Sequence, residues 1–379
     1  MFHLYNALAF LYLLWRFVPR LPGRRACHWS VALLLLVASQ VHLLSLIAFG
    51  NMWSPEVPFA IALVMGWLLC TFVLLLAFVL LLDIAGLLRW LVWRTRVSAG
   101  AARRLTAGAG TMALMLAAVG VHQATAVPEV HRVTVDIQGL PPALAGLRLV
   151  QLSDLHLSSL FREGWAQAVV QRTNALSPDL IVITGDLIDG SVQARRTDVA
   201  PLRQLRARHG VLAIPGNHEY YFGHPDWADT FSALGLRMLT NEHVVVRKDG
   251  AALTVAGITD EAAQVYGQDG PQLSEALAGA PVQAPVILLS HRPAGAAVNA
   301  ASGVALQLSG HTHGGMLPVL DLLAGPANQG FVSRGYQVGG MSLYVSTGTG
   351  LWMGFPMRLG VPAEITEFTL QTGRANALR

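Results

Sequence analysis

The sequence predicts two parts of different fold class, an all-α transmembrane helical domain over residues 1–125 and an α/β domain over residues 126–379. The chain is 53% hydrophobic with mean hydropathy +0.47, and the apolar excess lies before about residue 125. Beyond that point short runs of Val, Ile and Leu alternate with helical segments, which favours an α/β fold. Several of these runs end in blocks of Asp, Asn and His.

Four apolar runs predict four membrane crossings, at 2–18, 29–50, 59–82 and 106–125. The second and third are long enough to cross about 30 Å of hydrocarbon as helices. The first carries Tyr5, Tyr12 and Trp15 as interfacial anchors. It lacks a basic segment before its apolar run, which argues against a cleaved signal peptide.

Arginine bias predicts the orientation of these helices. Residues 1–125 contain nine arginines, no lysine and two acidic residues, and the arginines cluster in the first and third loops. Because basic loops stay in the cytoplasm, the N-terminus and the C-terminal domain are expected outside it. The predicted location is a bacterial inner membrane, with the C-terminal domain on the periplasmic or extracytoplasmic side.

The remaining residues, 126–379, carry 17 basic and 20 acidic side chains and are therefore mildly acidic. This charge balance excludes a nucleic-acid partner, which would need a basic surface. Both cysteines, Cys27 and Cys70, fall in the apolar part, and no disulfide is predicted between them.

The α/β pattern places short strands before each polar block. A short link is predicted over 127–132, and helices are predicted at 164–175 and 198–208. Strands are predicted at 148–152, 180–184, 211–214, 252–257, 286–289, 304–308, 343–346 and 364–370.

Five polar blocks follow these strands, so each is expected on a loop held by a sheet, where functional residues gather. Together they offer two carboxylates, one amide and four imidazoles, a set that suits divalent Mn, Fe or Zn. The candidate ligands are Asp154, His156, Asp186, Asn217, His291, His311 and His313.

The order of these blocks resembles the calcineurin-like metallophosphoesterase superfamily, in particular a bacterial membrane-attached branch. The contexts that carry the resemblance are SDLHL, TGDLIDG, PGNHEYY and SGHTHGG, within about residues 147–370. The resemblance implies a four-layer αββα metallophosphoesterase sandwich with two mixed β-sheets at its centre.

The same resemblance implies two divalent metal ions with Asp186 bridging them. A metal-bridging hydroxide would then attack the phosphorus of a phosphoester. His218 resembles the family's histidine that stabilises or protonates the leaving oxygen. One metal would be held by Asp154, His156, Asp186 and His313, and the other by Asp186, Asn217, His291 and His311.

Three further residues are candidates for substrate binding. Arg292 stands where relatives often have a small or acidic residue, and it is predicted to contact a substrate phosphate or to form a surface ion pair. Tyr220 is predicted to line the pocket, with aromatic packing as the alternative. Trp352 is predicted to contact the substrate, with burial as the alternative. Asp189 and Glu219 are expected to support the ligands.

Two stretches near the predicted site, 316–323 and 351–357, are unusually apolar. They are expected either to be buried or to meet the bilayer or an acyl chain. The leading hypothesis is therefore a membrane-anchored phosphohydrolase acting on a lipid or lipid-linked phosphoester. Two alternatives remain, a cytoplasm-facing pyrophosphatase of a nucleotide-diacylglucosamine precursor and a non-catalytic membrane sensor or transporter subunit.

Overall fold

The computed structural model describes residues 2–318, 320–373 and 377–378. The chain forms two compact units. The helical unit comprises residues 1–124 and Met353–Leu359, and the catalytic unit comprises Thr125–Trp352 and the residues from Gly360 onward. The boundary at residue 125 between two continuous domains stays a prediction.

Five α-helices build the first part of the helical unit. Helices α4 and α5 are long and apolar enough to cross a membrane, and α2 and α3 count as one further span if their 60° bend is ignored. Helix α1 has 15 residues, fewer than the 20 or so that a crossing usually needs. The total of four crossings stays a prediction. The bounds are α1 Phe2–Arg16, α2 Arg25–Ser39, α3 Val41–Phe49, α4 Phe59–Trp93 and α5 Ala99–Thr125.

The segment Met353–Leu359 packs among these helices. A Cβ atom on Gly66 would lie 2.5 Å from Pro356, and one on Gly120 would lie 2.6 Å from Met357. Gly120 also accepts a backbone hydrogen bond of 3.0 Å from Arg358. Most of the apolar stretch predicted at 351–357 is thus buried in the helical unit, where small helix residues make room for it.

Seven strands form the first sheet of the catalytic unit, in the order β13-β1-β12-β2-β3-β4-β5. Strands β2, β3, β4 and β5 are parallel neighbours, while β12 is antiparallel to β2. The bounds are β1 Glu129–Gln138, β2 Arg148–Leu152, β3 Leu180–Ile183, β4 Val211–Ala213, β5 Arg237–Met238, β12 Glu364–Gly373 and β13 Ala377–Leu378.

Six strands form the second sheet, in the order β10-β11-β9-β8-β7-β6. Its central strands β7, β8, β9 and β11 are parallel, and β6 and β10 pair antiparallel at the two edges. The bounds are β6 Glu242–Lys248, β7 Ala251–Gly257, β8 Val286–Leu289, β9 Leu306–Ser309, β10 Arg334–Val338 and β11 Met341–Val345.

The two sheets pack face to face, and helices cover their outer faces. Leu180 and Val182 of the first sheet share one core with Ile287 and Leu289 of the second. The opposite face of the second sheet packs against α11 and α12. Helix α6 connects the parallel neighbours β2 and β3, so it lies on the free face of the first sheet. The αββα sandwich is confirmed.

The helices of the catalytic unit are mostly short, and α6 is the longest of those described. Their bounds are α6 Glu163–Ala175, α7 Val192–Val199, α8 Asn217–Tyr221, α9 His224–Ala233, α10 Ala262–Val265, α11 Leu273–Ala276, α12 Ala296–Ala301 and α13 Asp321–Ala327.

Two local predictions were wrong. Most of the predicted link at 127–132 belongs to β1, which begins at Glu129 and pairs with β12, more than 200 residues later. The helix predicted at 198–208 is α7, which ends at Val199 and continues as a 3₁₀ turn to Gln204. Pro201 explains the change, since proline cannot donate the hydrogen bond that an α-helix interior requires.

Candidate metal centre

Five loops at the carboxyl ends of five strands converge on one buried site. Strands β2, β3 and β4 of the first sheet lead into Asp154, Asp186 and Asn217. Strands β8 and β9 of the second sheet lead into His291 and His311. The site therefore stands where the strand ends of both sheets meet, and neither sheet could form it alone.

The structure brings the seven predicted ligands together in two groups. Donor atoms within each group of three lie no more than 4.8 Å apart. Asn217 joins the second group, since its Oδ1 lies 3.1 Å from Nε2 of His291. The first group contains Asp154, His156 and His313, and the second contains Asp186, His291 and His311.

Asp186 stands between the two groups. Its Oδ2 lies 3.2 Å from Nε2 of His291 and 3.7 Å from Nε2 of His156. Ligands bonded to one ion at about 2.1 Å are themselves separated by about 3.0–3.4 Å. The donor spacing thus fits two divalent ions sharing this carboxylate, and the residue-by-residue ligand assignment stays a prediction.

Hydrogen bonds set the orientation of two candidate ligand rings. Nδ1 of His291 donates to the carbonyl oxygen of Thr184 at 2.8 Å, and Nδ1 of His156 lies 3.1 Å from Oδ1 of Asp189. Each ring therefore directs Nε2 towards the centre. Partners of this kind fix the tautomer and the direction of metal-binding histidines.

Glu219 supports the candidate ligands through the backbone, because both of its carboxylate oxygens accept backbone hydrogen bonds. Its carboxylate accepts backbone hydrogen bonds from Gly216 at 2.6 Å, Leu187 at 2.7 Å and Asp186 at 3.0 Å. It thereby ties the loop after β4 to the loop after β3. Burial and the nearby Asp186 raise the pKa of Glu219 to about 7, while the backbone donors oppose that rise.

A chain of buried donors leads to Asp154. Gln151 donates to the Thr184 hydroxyl at 2.8 Å, Thr184 donates to Ser153 at 2.7 Å, and Ser153 donates to Oδ2 of Asp154 at 2.6 Å. Gln151 also donates to the carbonyl oxygen of Ser309, so the chain bridges the two sheets. These residues were not predicted from the sequence, although an amide inside an apolar strand is a usable signal.

Five of the candidate ligands occupy backbone conformations that side-chain-bearing residues seldom adopt. A left-handed backbone conformation raises the energy of a residue that carries a side chain, and such residues concentrate at functional sites. They turn consecutive side chains into the site. Their φ angles are 53° for Asp154, 44° for His156, 53° for Asp186, 71° for His311 and 50° for His313.

The electrostatics of the site reflect its concentrated negative charge. Burial alone would lower the pKa of His291, but Asp186 outweighs it and raises the pKa to about 10. Burial and the neighbouring His291 hold the pKa of His311 well below its usual range. Divalent cations would replace the protons that otherwise compensate these carboxylates.

His218 lies at the edge of the same cluster. Its Nδ1 contacts Oδ1 of Asp189 at 2.5 Å, and its Nε2 is 4.0 Å from Oδ2 of Asp186. Burial alone would lower the pKa of His218, but Asp186 and Asp189 raise it to about 9. Asp189 thus contacts two histidines, His156 and His218, and its supporting role stays a prediction.

The three predicted substrate contacts have different surroundings. Arg292 pairs with buried Asp260 at 2.8 Å and also reaches His311, with its Nη1 3.3 Å from Nε2. Tyr220 is 2% exposed and its ring stacks on the ring of His224. The tyrosine beside His218 is Tyr221, with ring centroids 5.1 Å apart. Trp352 is half-buried directly before the segment that joins the helical unit.

Comparisons with known proteins show the family to which the chain belongs. The calcineurin-like phosphoesterase family profile matches residues 147–315. A Bos taurus transmembrane protein with metallophosphoesterase domain is 37% identical, covering 83% of this chain and 75% of that protein. A Danio rerio protein of the same description is 34% identical, covering 95% and 86%. The uncharacterized metallophosphoesterase YkuE of Bacillus subtilis is 32% identical, covering 62% and 82%.

Gly185→Ala should disrupt the site, because Gly185 has φ 92° and a Cβ atom there would lie 2.6 Å from the Gly216 nitrogen and 2.7 Å from Nδ1 of His291. Gly279→Ala is the matched control, since its φ is +80° with nothing within 4 Å. The control should lose about 1–2 kcal/mol of unfolding free energy. Gly185→Ala should lose about 1–3 kcal/mol more, together with bound metal. Thermal unfolding and metal analysis measure both, and equal behaviour of the two variants would refute the close-approach argument.

Proposed function

Because the chain belongs to the calcineurin-like metallophosphoesterase family, whose members use two divalent metal ions, we propose that it hydrolyses a phosphoester of a lipid or lipid-linked substrate. It is a metal-dependent phosphoesterase with apolar N-terminal helices. That assignment sets aside the non-catalytic alternative. The lipid substrate, the side of the membrane and the roles of single residues are the proposed part.

The observation that carries the lipid proposal is an exposed pair of leucines beside a ligand loop. Leu322 and Leu323 on α13 are 73% and 72% exposed. Helix α13 begins against the loop after β9, since a Cβ atom on Gly315 would lie 2.8 Å from the nitrogen of Asp321. An exposed apolar pair beside a ligand loop favours contact with a membrane or a lipid. This supports a substrate presented from a bilayer.

The chain's own residues bind and orient the reacting groups. When bound, the two ions supply Lewis-acid activation of water and neutralise phosphate charge. Asp186 would help to hold both ions, because its Oδ2 faces donors from each group. Asn217 contributes a neutral oxygen, which leaves the site less negative than a third carboxylate would and favours an anionic phosphoester.

His218 is placed to pass a proton to the leaving oxygen. Asp189 accepts the hydrogen bond from Nδ1, so the ring is locked and Nε2 is the nitrogen left to exchange a proton. That nitrogen points towards the region of Asp186, at 4.0 Å from its Oδ2. The arrangement matches a general acid held by a buried carboxylate.

Arg292 supplies a fixed positive charge for the phosphate. Asp260, itself buried, accepts hydrogen bonds from Nε at 2.8 Å and Nη2 at 3.2 Å, which fixes the guanidinium plane. The remaining Nη1 lies beside His311, and the Arg292 side chain is 28% exposed. A guanidinium held in this way is suited to bind the oxygens of an incoming phosphate.

The arginines between α4 and α5 support the proposed side of the membrane. The segment 89–104 between their apolar cores contains five arginines, and basic loops stay in the cytoplasm. With α5 crossing once to residue 125, the same rule favours a catalytic unit outside the cytoplasm, whether or not α1 crosses. This placement favours a membrane lipid over a cytoplasmic nucleotide-linked precursor.

A C-terminal alkaline phosphatase fusion should be active in cells, because that reporter folds only outside the cytoplasm. A β-galactosidase fusion at the same position should be inactive and serves as the reciprocal control. The opposite pattern would place the catalytic unit in the cytoplasm and favour the pyrophosphatase alternative.

His218→Gln should slow the hydrolysis of alkyl phosphoesters by about 100-fold or more, but the hydrolysis of p-nitrophenyl esters by less than about tenfold. The reason is that a poor leaving group needs protonation and a good one does not. Steady-state kcat on the two substrate types measures this split. His209→Gln is the control, since His209 lies outside the cluster. Equal losses on both substrates would indicate a structural role for His218.

Leu322→Ser/Leu323→Ser should reduce phosphate release from vesicles of membrane lipid extract by about tenfold or more, since each buried methylene contributes about 0.8 kcal/mol to membrane binding. Hydrolysis of soluble bis-p-nitrophenyl phosphate should be unchanged. Val282→Ser/Val298→Ser changes side chains that are 94% and 70% exposed and is the matched control.

Asp186→Asn should abolish both activities and defines the background. If wild-type protein cleaved only the soluble diester, the lipid proposal would fail while the phosphoesterase assignment would stand.

A further inference from the structure

A cavity of about 400 Å³ lies within the helical unit, lined by residues of α2, α4, α5 and the segment before α2. Its inner wall includes Leu35, Phe72 and Leu75, all buried. Two wall residues, Leu34 on α2 and Leu114 on α5, are instead 52% and 42% exposed. The cavity therefore has a rim on the outer surface of the helices, at the level of their apolar stretches. Its volume falls within the about 300–1,000 Å³ of ordinary ligand pockets.

The mostly apolar wall of the cavity favours an acyl chain as its occupant. Water needs polar partners and does not settle in an apolar cavity. An empty cavity would leave its lining without contact atoms on one side, which loses dispersion energy. Because the rim residues are exposed among membrane-facing apolar side chains, hydrocarbon can enter from the bilayer directly.

One end of the cavity is strongly basic. Leu21, Pro22 and His28 belong to its wall, and Arg24 and Arg25 lie between them in the sequence. His28 Nε2 lies 3.0 Å from the Leu21 carbonyl oxygen and closes this short loop against the cavity.

Helix α5 adds a further arginine to this basic end. Arg103 precedes the wall residue Ala107 by four positions and thus shares its helix face. Gly110, one turn further along α5, lies against Phe17, so this part of α5 packs next to the chain that leads into the basic loop.

Not every arginine at this end is available for a ligand. Arg16 and Arg20 pair with Asp83, one of only two acidic residues in 1–125. Within the part of the chain that the structure describes, no acidic side chain is within ion-pair distance of Arg24 or Arg25, and both are exposed. Two unneutralised positive charges therefore lie, along the chain, between the wall residues Pro22 and His28 of the apolar cavity.

We propose that the helical unit binds one anionic glycerophospholipid, with an acyl chain in the cavity and the phosphate beside Arg24, Arg25 and Arg103. The acyl chain leaves one apolar medium for another, so it contributes packing and little hydrophobic free energy. The head group therefore decides which lipid is retained, and basic clusters at a membrane surface select anionic lipids. This lipid is a resident ligand of the helical unit, separate from the substrate of the proposed hydrolysis.

Native mass spectrometry of the full-length protein in detergent tests the proposal with two probes that differ only in head group. These are 1-palmitoyl-2-oleoyl phosphatidylglycerol and the phosphatidylcholine with the same chains. Wild-type protein should retain one phosphatidylglycerol at least tenfold more strongly than phosphatidylcholine. Inorganic phosphate should not displace it, since the acyl chain is part of the recognition, and added salt should weaken it.

Two variants separate the cavity from the basic end. Ala107→Leu fills the cavity from its wall and should abolish the adduct. Gly108→Leu should leave it intact, since Gly108 is exposed, does not line the cavity and has nothing within 4 Å of an added Cβ atom. Arg24→Gln/Arg25→Gln should lower phosphatidylglycerol retention to the phosphatidylcholine level. Arg89→Gln/Arg96→Gln removes the same charge elsewhere and should not.

Hydrolysis of soluble bis-p-nitrophenyl phosphate by each variant confirms that it is folded and is expected to equal wild type. Equal retention of the two lipids, or retention unaffected by Ala107→Leu, would overturn the proposal. Because these experiments measure binding, they test the resident lipid independently of whether the catalytic unit cleaves lipids.

Discussion

The Asp186 carboxylate is 2% exposed and has no solvent to compensate its charge, so the ends of several strands are arranged around it. Oδ1 accepts a hydrogen bond of 2.8 Å from the backbone of His218, after β4. Oδ2 faces His291, after β8, and His156, after β2. A buried carboxylate is tolerated only where hydrogen bonds and positive charge surround it. This requirement brings loops of both sheets to one point and creates the two groups of metal donors.

Meeting that requirement constrains the backbone around it. Five candidate ligands take positive φ angles, and Gly185 allows the loops after β3 and β4 to touch. Such conformations persist only where the surroundings hold them in place. Glu219 does so by accepting three backbone hydrogen bonds, and the Gln151 chain does so by linking both sheets beneath Asp154.

The packing of the helical unit includes a segment from the C-terminal part of the sequence, Met353–Leu359. Met353–Leu359 fills space that Gly66 and Gly120 leave open, and His42 contacts the Gly354 carbonyl oxygen at 2.9 Å. A few residues earlier, Gly350 donates to the carbonyl oxygen of Asp154 at 3.0 Å. One apolar stretch thus follows directly on a loop of the candidate metal centre along the chain. Its hydrophobicity is explained by burial among helices.

The sequence by itself determined the strands that carry the five polar blocks, the family and the two-metal chemistry, because each block follows a short apolar strand and keeps its local pattern. Tertiary structure decided what depends on partners distant in the chain. Strand β1 was missed because its partner β12 lies over 200 residues away, and α7 was misplaced because Pro201 outweighed a helical pattern. Tyr221 rather than Tyr220 faces His218, and Gln151 bridges two sheets, since the direction of a side chain depends on packing that periodicity alone does not specify.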